Sequence, residues 1–126
     1  VKSALMGRYT WHVNRPLDVQ AMSEAAGCLI GVHDFSSFAC SGSETRTSIR
    51  NLMKIDIRRL GERVVIELRA NAYLRSMVRV IVGTLVEVGL GERSGSEISG
   101  ILAAGDRRLA GKTAPPQGLC LVEVEY

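Results

Sequence analysis

Residues 74–85 read LRSMVRVIVGTL, a run that asks to be buried yet carries an arginine, which cannot shed its charge. At 3.6 residues per turn Leu74, Met77, Val78, Ile81, Leu85 and Val88 form one face, ordinary core patterning for a helix over about Ala72–Val88. Arg79 falls opposite, beside Arg75 and next to Val82, Gly83 and Val86, so the helix is apolar over more than one stripe. Something else must therefore cover a second side of this helix. The guanidinium needs either a carboxylate or phosphate partner, or a stem lying along Val82 and Val86 with its head in water.

The remaining segments bound what that helix packs on. Tyr9–Val13 alternates as a strand, and Leu17–Ile30 has helical spacing with Asp18 as N-cap and Gly31 as its stop. Val32–Ser48 is aperiodic and rich in Ser, Gly and Thr, which predicts a long loop anchored by Phe35 and Phe38. Ile49–Leu60, with Met53, Ile55 and Ile57 inward, pairs as a hairpin with Arg63–Ala70, where Val64, Ile66 and Leu68 point inward. After Gly89–Gly91, Ser96–Ala104 is a short helix ending at Gly105, and residues 105–118 form a loop broken by Pro115, Pro116 and Gly118. Leu119–Tyr126 is the last strand. Strand, helix, strand, strand, helix, strand is the βαββαβ order of an α+β, ferredoxin-like split-βαβ domain: an antiparallel-rich sheet with helices on one face. The other face must be solvated, bind something or meet another domain.

Length and composition suit one compact domain spanning residues 1–126. No apolar stretch nears the ~20 residues of a membrane span, and no export signal is visible, so the reading is a cytoplasmic, soluble domain. Cys28, Cys40 and Cys120 match neither a disulfide framework nor a metal motif; they read as reduced thiols, with Cys28 and Cys120 in the core and Cys40 in a loop. Net charge is +3, but 13 of the 16 basic residues are arginine, a mild pointer to nucleic acid that a GC-rich genome would also produce.

Several chemistries fit poorly. An RNA-recognition motif stacks bases on aromatics of its central strands, and neither NLMKIDI nor RVVIELRA contains one. His33 and Asp34 read as a turn with a side chain bonded to backbone. Two histidines, His12 and His33, with no nearby cysteine argue against zinc, and no Ser, His and Asp arrangement can be assigned. GLGERSGSEISG lacks both GxGxxG and a P-loop lysine.

Four segments carry a resemblance: HDFSSF (His33–Phe38), TRTSIRNL (Thr45–Leu52), ANAYLRSMVRVIVGTLVEVGLG (Ala70–Gly91) and AGKTAPPQGLCLVEVEY (Ala110–Tyr126). In order and spacing they resemble the C-terminal half of the TruA-type tRNA pseudouridine synthases, which isomerise uridines of the tRNA anticodon arm at positions 38, 39 and 40. The resemblance implies a cofactor-free homodimeric isomerase, with two α+β halves around a cleft that holds the tRNA anticodon arm. It implies that Arg79 pairs with the catalytic aspartate of the N-terminal half, which would also cover the second side of the helix. Leu119 resembles the apolar residue lining the uracil pocket. Tyr73 stands where phenylalanine is usual in that pocket, and Ser76 replaces a common histidine.

Two family features are not found in the sequence: the GRTDAGVHA motif of the nucleophile and the RxYxY strand of the cleft tyrosine. The four aspartates, Asp18, Asp34, Asp56 and Asp106, lack that context. A chain that starts with Val and joins the pattern midway resembles one half of such an enzyme, inactive alone; were it active, Asp34 would be the first suspect. Two other readings stay open: a stand-alone RNA-binding module using Arg46, Arg50 and Arg75, and a dimerisation domain meeting another copy through its helix.

Overall fold

The computed structural model describes residues 3–12, 15–40 and 47–125. Five strands form one antiparallel sheet: β1 (Ser3–His12), β2 (Gly31–Asp34), β3 (Ile49–Leu60), β4 (Arg63–Ala70) and β5 (Leu119–Glu125), in the order β2-β3-β4-β1-β5. Without β2 the order is that of the split-βαβ unit expected from the element sequence. Helices α1 (Val19–Ala26), α2 (Met77–Gly89) and α3 (Glu97–Ala104) complete the α+β fold.

The core lies between one sheet face and the helices. Val64, Ile66, Leu68 and Ala70 of β4 are fully buried there, as are Met77, Ile81 and Val82 of α2. Alternation sends Arg63, Glu67 and Arg69 to the other face, and the β3–β4 hairpin turns at Gly61, whose φ of +63° suits glycine. Asp18 caps α1 as expected, its carboxylate accepting from the Ala21 N–H at 3.0 Å. Phe35 and Phe38 are fully buried anchors, as their spacing implied.

Some expectations are corrected. Residues 32–48 are not all loop: Gly31–Asp34 pairs with β3 and Ser36–Phe38 is a 3₁₀ turn. Strand β2 rests on main-chain pairing at a sheet edge, with Val32 66% exposed, so no side-chain alternation announces it. Strand β1 starts at Ser3 rather than Tyr9, because Gly7 interrupts the alternation. Met53 is exposed rather than inward: a bulge between Leu52 and Lys54 switches the buried parity of β3 from Arg50 and Leu52 to Ile55 and Ile57. Helix α1 ends at Ala26 in a 3₁₀ turn, Gly27–Leu29, well before Gly31. Helix α2 starts at Met77, after Ser76, whose φ of +60° breaks the helical path. Cys120 is exposed rather than in the core: it lies opposite Arg8 on the open face of the sheet.

The second side of α2 is covered at Gly83 by this chain's own loop, Gly111–Ala114. A Cβ on Gly83 would lie 1.7 Å from the Lys112 carbonyl oxygen, so the loop lies directly on the helix backbone there. Val82 and Val86, on the same side of the helix, are 0% and 4% exposed.

Candidate functional site

Arg79 occupies the first turn of α2, where backbone N–H groups lack helical acceptors and the helix end favours negative charge. It is half-buried. Its Nε donates to the Ala114 carbonyl at 2.8 Å, and the Ala114 N–H donates back to the Arg79 carbonyl at 3.0 Å. The guanidinium is thus aimed by the loop rather than by a carboxylate. Among the described residues no acidic group forms an ion pair with it. Neither of the two fates open from sequence holds in full, since the head is fixed on a carbonyl and the valines beside its stem are buried.

The loop that aims Arg79 is itself fixed at many points. The Thr84 hydroxyl donates to Val80 O at 2.8 Å and accepts from the Gly111 N–H at 2.9 Å. Glu87 accepts from the Lys112 N–H at 3.1 Å and from both Nε and Nη2 of Arg93, at 3.1 and 3.0 Å. Farther along, the Tyr9 hydroxyl donates to the Pro115 carbonyl at 2.5 Å. A Cβ on Gly118 would lie 2.8 Å from the Tyr9 ring, so only glycine lets the chain pass it. Burial pushes the Tyr9 hydroxyl pKa up, while the nearby positive charge of Arg79 pulls it down.

Leu119 follows Gly118, pairs with Tyr9 and packs half-buried against the core. Arg79 and Leu119 are thus joined through one loop and one tyrosine. A cavity of about 550 Å³ opens at this loop and tyrosine, walled by Tyr9, Thr10, Trp11, His12, Arg63, Pro115, Gln117 and Gly118. The Tyr9 and Trp11 rings lie 6.0 Å apart, tilted by 34°. Tyr9 was legible from sequence only as part of an alternating strand; the signal of its further role was an aromatic residue beside an arginine-bearing helix and a proline pair, which only the fold brings together.

The other residues singled out lie apart. Tyr73 donates its hydroxyl to the carbonyls of Leu5 (2.8 Å) and Leu68 (3.0 Å), and burial pushes its pKa up to about 12, against the pull of the Gly7 N–H. Arg75 is exposed, and its carbonyl accepts from the Cys40 N–H at 3.1 Å. Arg46 lies outside the described residues. Each aspartate is engaged locally. Asp18 caps α1, Asp34 accepts from the Ser36 N–H at 3.0 Å, Asp56 pairs with Arg58 at 3.0 Å, and Asp106 pairs with Arg108 at 2.9 Å. Among the described residues there is no group of three or more potential metal ligands, and no helix is long and apolar enough to cross a membrane.

A family model described as tRNA pseudouridine synthase matches residues 25–126. The chain is 49% identical over 126 residues to the tRNA pseudouridine synthase A of Syntrophotalea carbinolica, an alignment covering 100% of this chain and 50% of that protein. It is 48% identical to the protein of the same name from Brevibacillus brevis, over 94% of this chain and 49% of the relative. With the Acidiphilium cryptum protein of that name the identity is 48% over 99% of this chain and 49% of the relative. The chain spans about half the length of the curated relatives it matches.

Proposed function

Because the chain belongs to the tRNA pseudouridine synthase family, we propose that it is the C-terminal domain, residues 1–126, of a cytoplasmic, homodimeric isomerase converting uridine to pseudouridine in the tRNA anticodon arm. The observation that carries this reading is Arg79: a half-buried guanidinium held through Nε on the Ala114 carbonyl, with no acidic partner among the described residues. Such a group suits a carboxylate arriving from the N-terminal half. In this reading Arg79 orients that aspartate and keeps it ionised, since an opposite charge within hydrogen-bonding range lowers a carboxylate pKa.

The reaction is an isomerisation with no net change in composition, in which C5 of the base gives up a proton and N1 gains one. The target uridine is flipped into the cleft, the aspartate attacks, the glycosidic bond to N1 breaks, and the uracil rejoins the ribose through C5 as the aspartate leaves. No cofactor takes part. Leu119 forms part of the apolar wall of the uracil pocket. The Tyr73 hydroxyl is occupied by two backbone carbonyls, so any contact from Tyr73 to the base uses its ring. Arg75 and Arg46 bind the anticodon arm.

The test is to incubate unmodified tRNA with this chain alone, with an N-terminal half prepared from the Syntrophotalea carbinolica relative, and with both, and to measure pseudouridine in the anticodon arm. Activity is expected only in the mixture. Activity of this chain alone contradicts the proposal and makes Asp34 the first residue to replace. Inactivity of two halves that demonstrably associate contradicts it as well.

A further inference from the structure

The sheet face turned away from the helices is electrostatically lopsided. Among the described side chains it presents Arg8, Lys54, Arg58, Arg63 and Arg69 against Asp34, Asp56 and Glu67. The face thus carries a surplus of two, where the formal surplus of the entire chain is +3.

The charges are also arranged. Glu67 accepts from Arg8 at 3.1 Å and from Arg58, and Arg58 pairs with Asp56 at 3.0 Å, which fixes the two forks side by side across β1, β4 and β3. Each guanidinium has five donors, so most of them stay available. The side chain of Arg63, exposed at the start of β4, forms no ion pair among the described residues. Val65 lies between the forks and is only 8% exposed on a face no helix covers, so the flanking side chains shield it. A cavity of about 370 Å³ is lined by Arg8, Thr10, Arg58, Leu60, Arg63 and Val65. It shares Thr10 and Arg63 with the larger cavity beside the Pro115–Gly118 loop.

We infer that Arg8, Arg58 and Arg63 form a phosphate cradle on the open sheet face, where the RNA strand leading to the Pro115–Gly118 loop lays its sugar–phosphate backbone. The assignment deepens the function proposed above and rests on it for the identity of the RNA. Guanidinium forks match phosphate oxygens, and β3 and β4 offer no aromatic ring on which a base could stack, so the contact reads backbone rather than sequence. The continuity of the two cavities supplies a path from cradle to pocket.

The experiment is binding of this chain to an unmodified tRNA transcript as a function of salt, beginning at about 50 mM. Arg63→Gln is expected to weaken binding about tenfold there and to lower the slope of log K against log salt by about one, while Arg63→Lys keeps the slope. Arg108→Gln removes the same charge from an exposed turn and is expected to change neither. Equal losses in Arg63→Gln and Arg108→Gln, unchanged binding in Arg63→Gln, or no binding by the parent chain each overturn the cradle. So does sedimentation in which Arg63→Gln breaks a pair of copies while RNA affinity stays the same, which assigns the face to a second copy. Pseudouridine formation by the two-half mixture separates this test from the functional one. A silent mixture with the Arg63 slope effect intact sinks the activity and leaves the cradle; an active mixture whose KM is unmoved by Arg63→Gln sinks the cradle alone.

Discussion

The two sides of α2 are buried by different means. Met77, Val78, Ile81, Leu85 and Val88 pack toward the sheet as an apolar stripe, each 4% exposed or less. On the side of Val82, Gly83 and Val86, Gly83 is covered by a loop that is held by a few polar contacts: Thr84 to Gly111, Glu87 to Lys112, and the reciprocal pair of Arg79 and Ala114. Each side also has a tyrosine clasp, Tyr73 onto strand carbonyls and Tyr9 onto Pro115. The stripe tolerates change by degrees, because its stability is spread over many contacts. The loop side depends on a few particular atoms, and its position decides where the Arg79 head points.

Replacing Ile81 by Ala tests the stripe. A fully buried aliphatic side chain is lost, at a cost of about 4 kcal/mol in urea unfolding, and the loop keeps its place. Gly83→Ala tests the loop side. Its Cβ cannot coexist with the Lys112 carbonyl, so the loop lifts, with a loss of about 3 kcal/mol and increased amide exchange at Gly111 and Ala114. A neutral Gly83→Ala breaks the distinction between the sides.

Smaller changes sharpen it. Thr84→Val leaves the Gly111 N–H without its acceptor and costs about 1–2 kcal/mol. Tyr9→Phe removes the bond to Pro115 and costs about 1 kcal/mol, with the effect confined to the loop side. The Tyr73 clasp is silent at neutral pH. Its folded pKa, about 12 against an ordinary 10.0, means the folded state holds that proton more tightly. Stability attributable to Tyr73 is therefore full below pH 10 and is lost as pH rises from there through about 12. In Tyr73→Phe this part of the alkaline decline disappears, a difference that unfolding midpoints across this range measure.

How much of this was legible in the sequence follows the same division. Helix α2, the β3–β4 hairpin and the α1 cap were readable because many residues repeat one period, or because a cap has one local chemistry. The βαββαβ order came with them. Strand β2 was not readable, since main-chain pairing at an edge leaves no side-chain pattern. The bulge in β3 misled the reading of Met53 because one extra residue inverts the alternation after it. The site was half readable. Arg79 declared itself as a charge in an apolar run, but its support came from Ala114, 35 positions away, and from Tyr9 at the far end of the chain. The cover on Gly83 was equally hidden, because a glycine in a helix says only that something approaches closely, not what.

The most direct measurement is pseudouridine formation by the mixture of this chain and a relative's N-terminal half, with Arg79 changed to Gln, read beside the thermal midpoint of the same variant. The account predicts a loss in rate of about a hundredfold or more. It predicts a midpoint lowered only by the few degrees that one lost side-chain hydrogen bond explains. A rate near that of the parent mixture, or a midpoint depressed as far as in Gly83→Ala, would contradict it, making Arg79 a structural clasp rather than the partner of the attacking carboxylate.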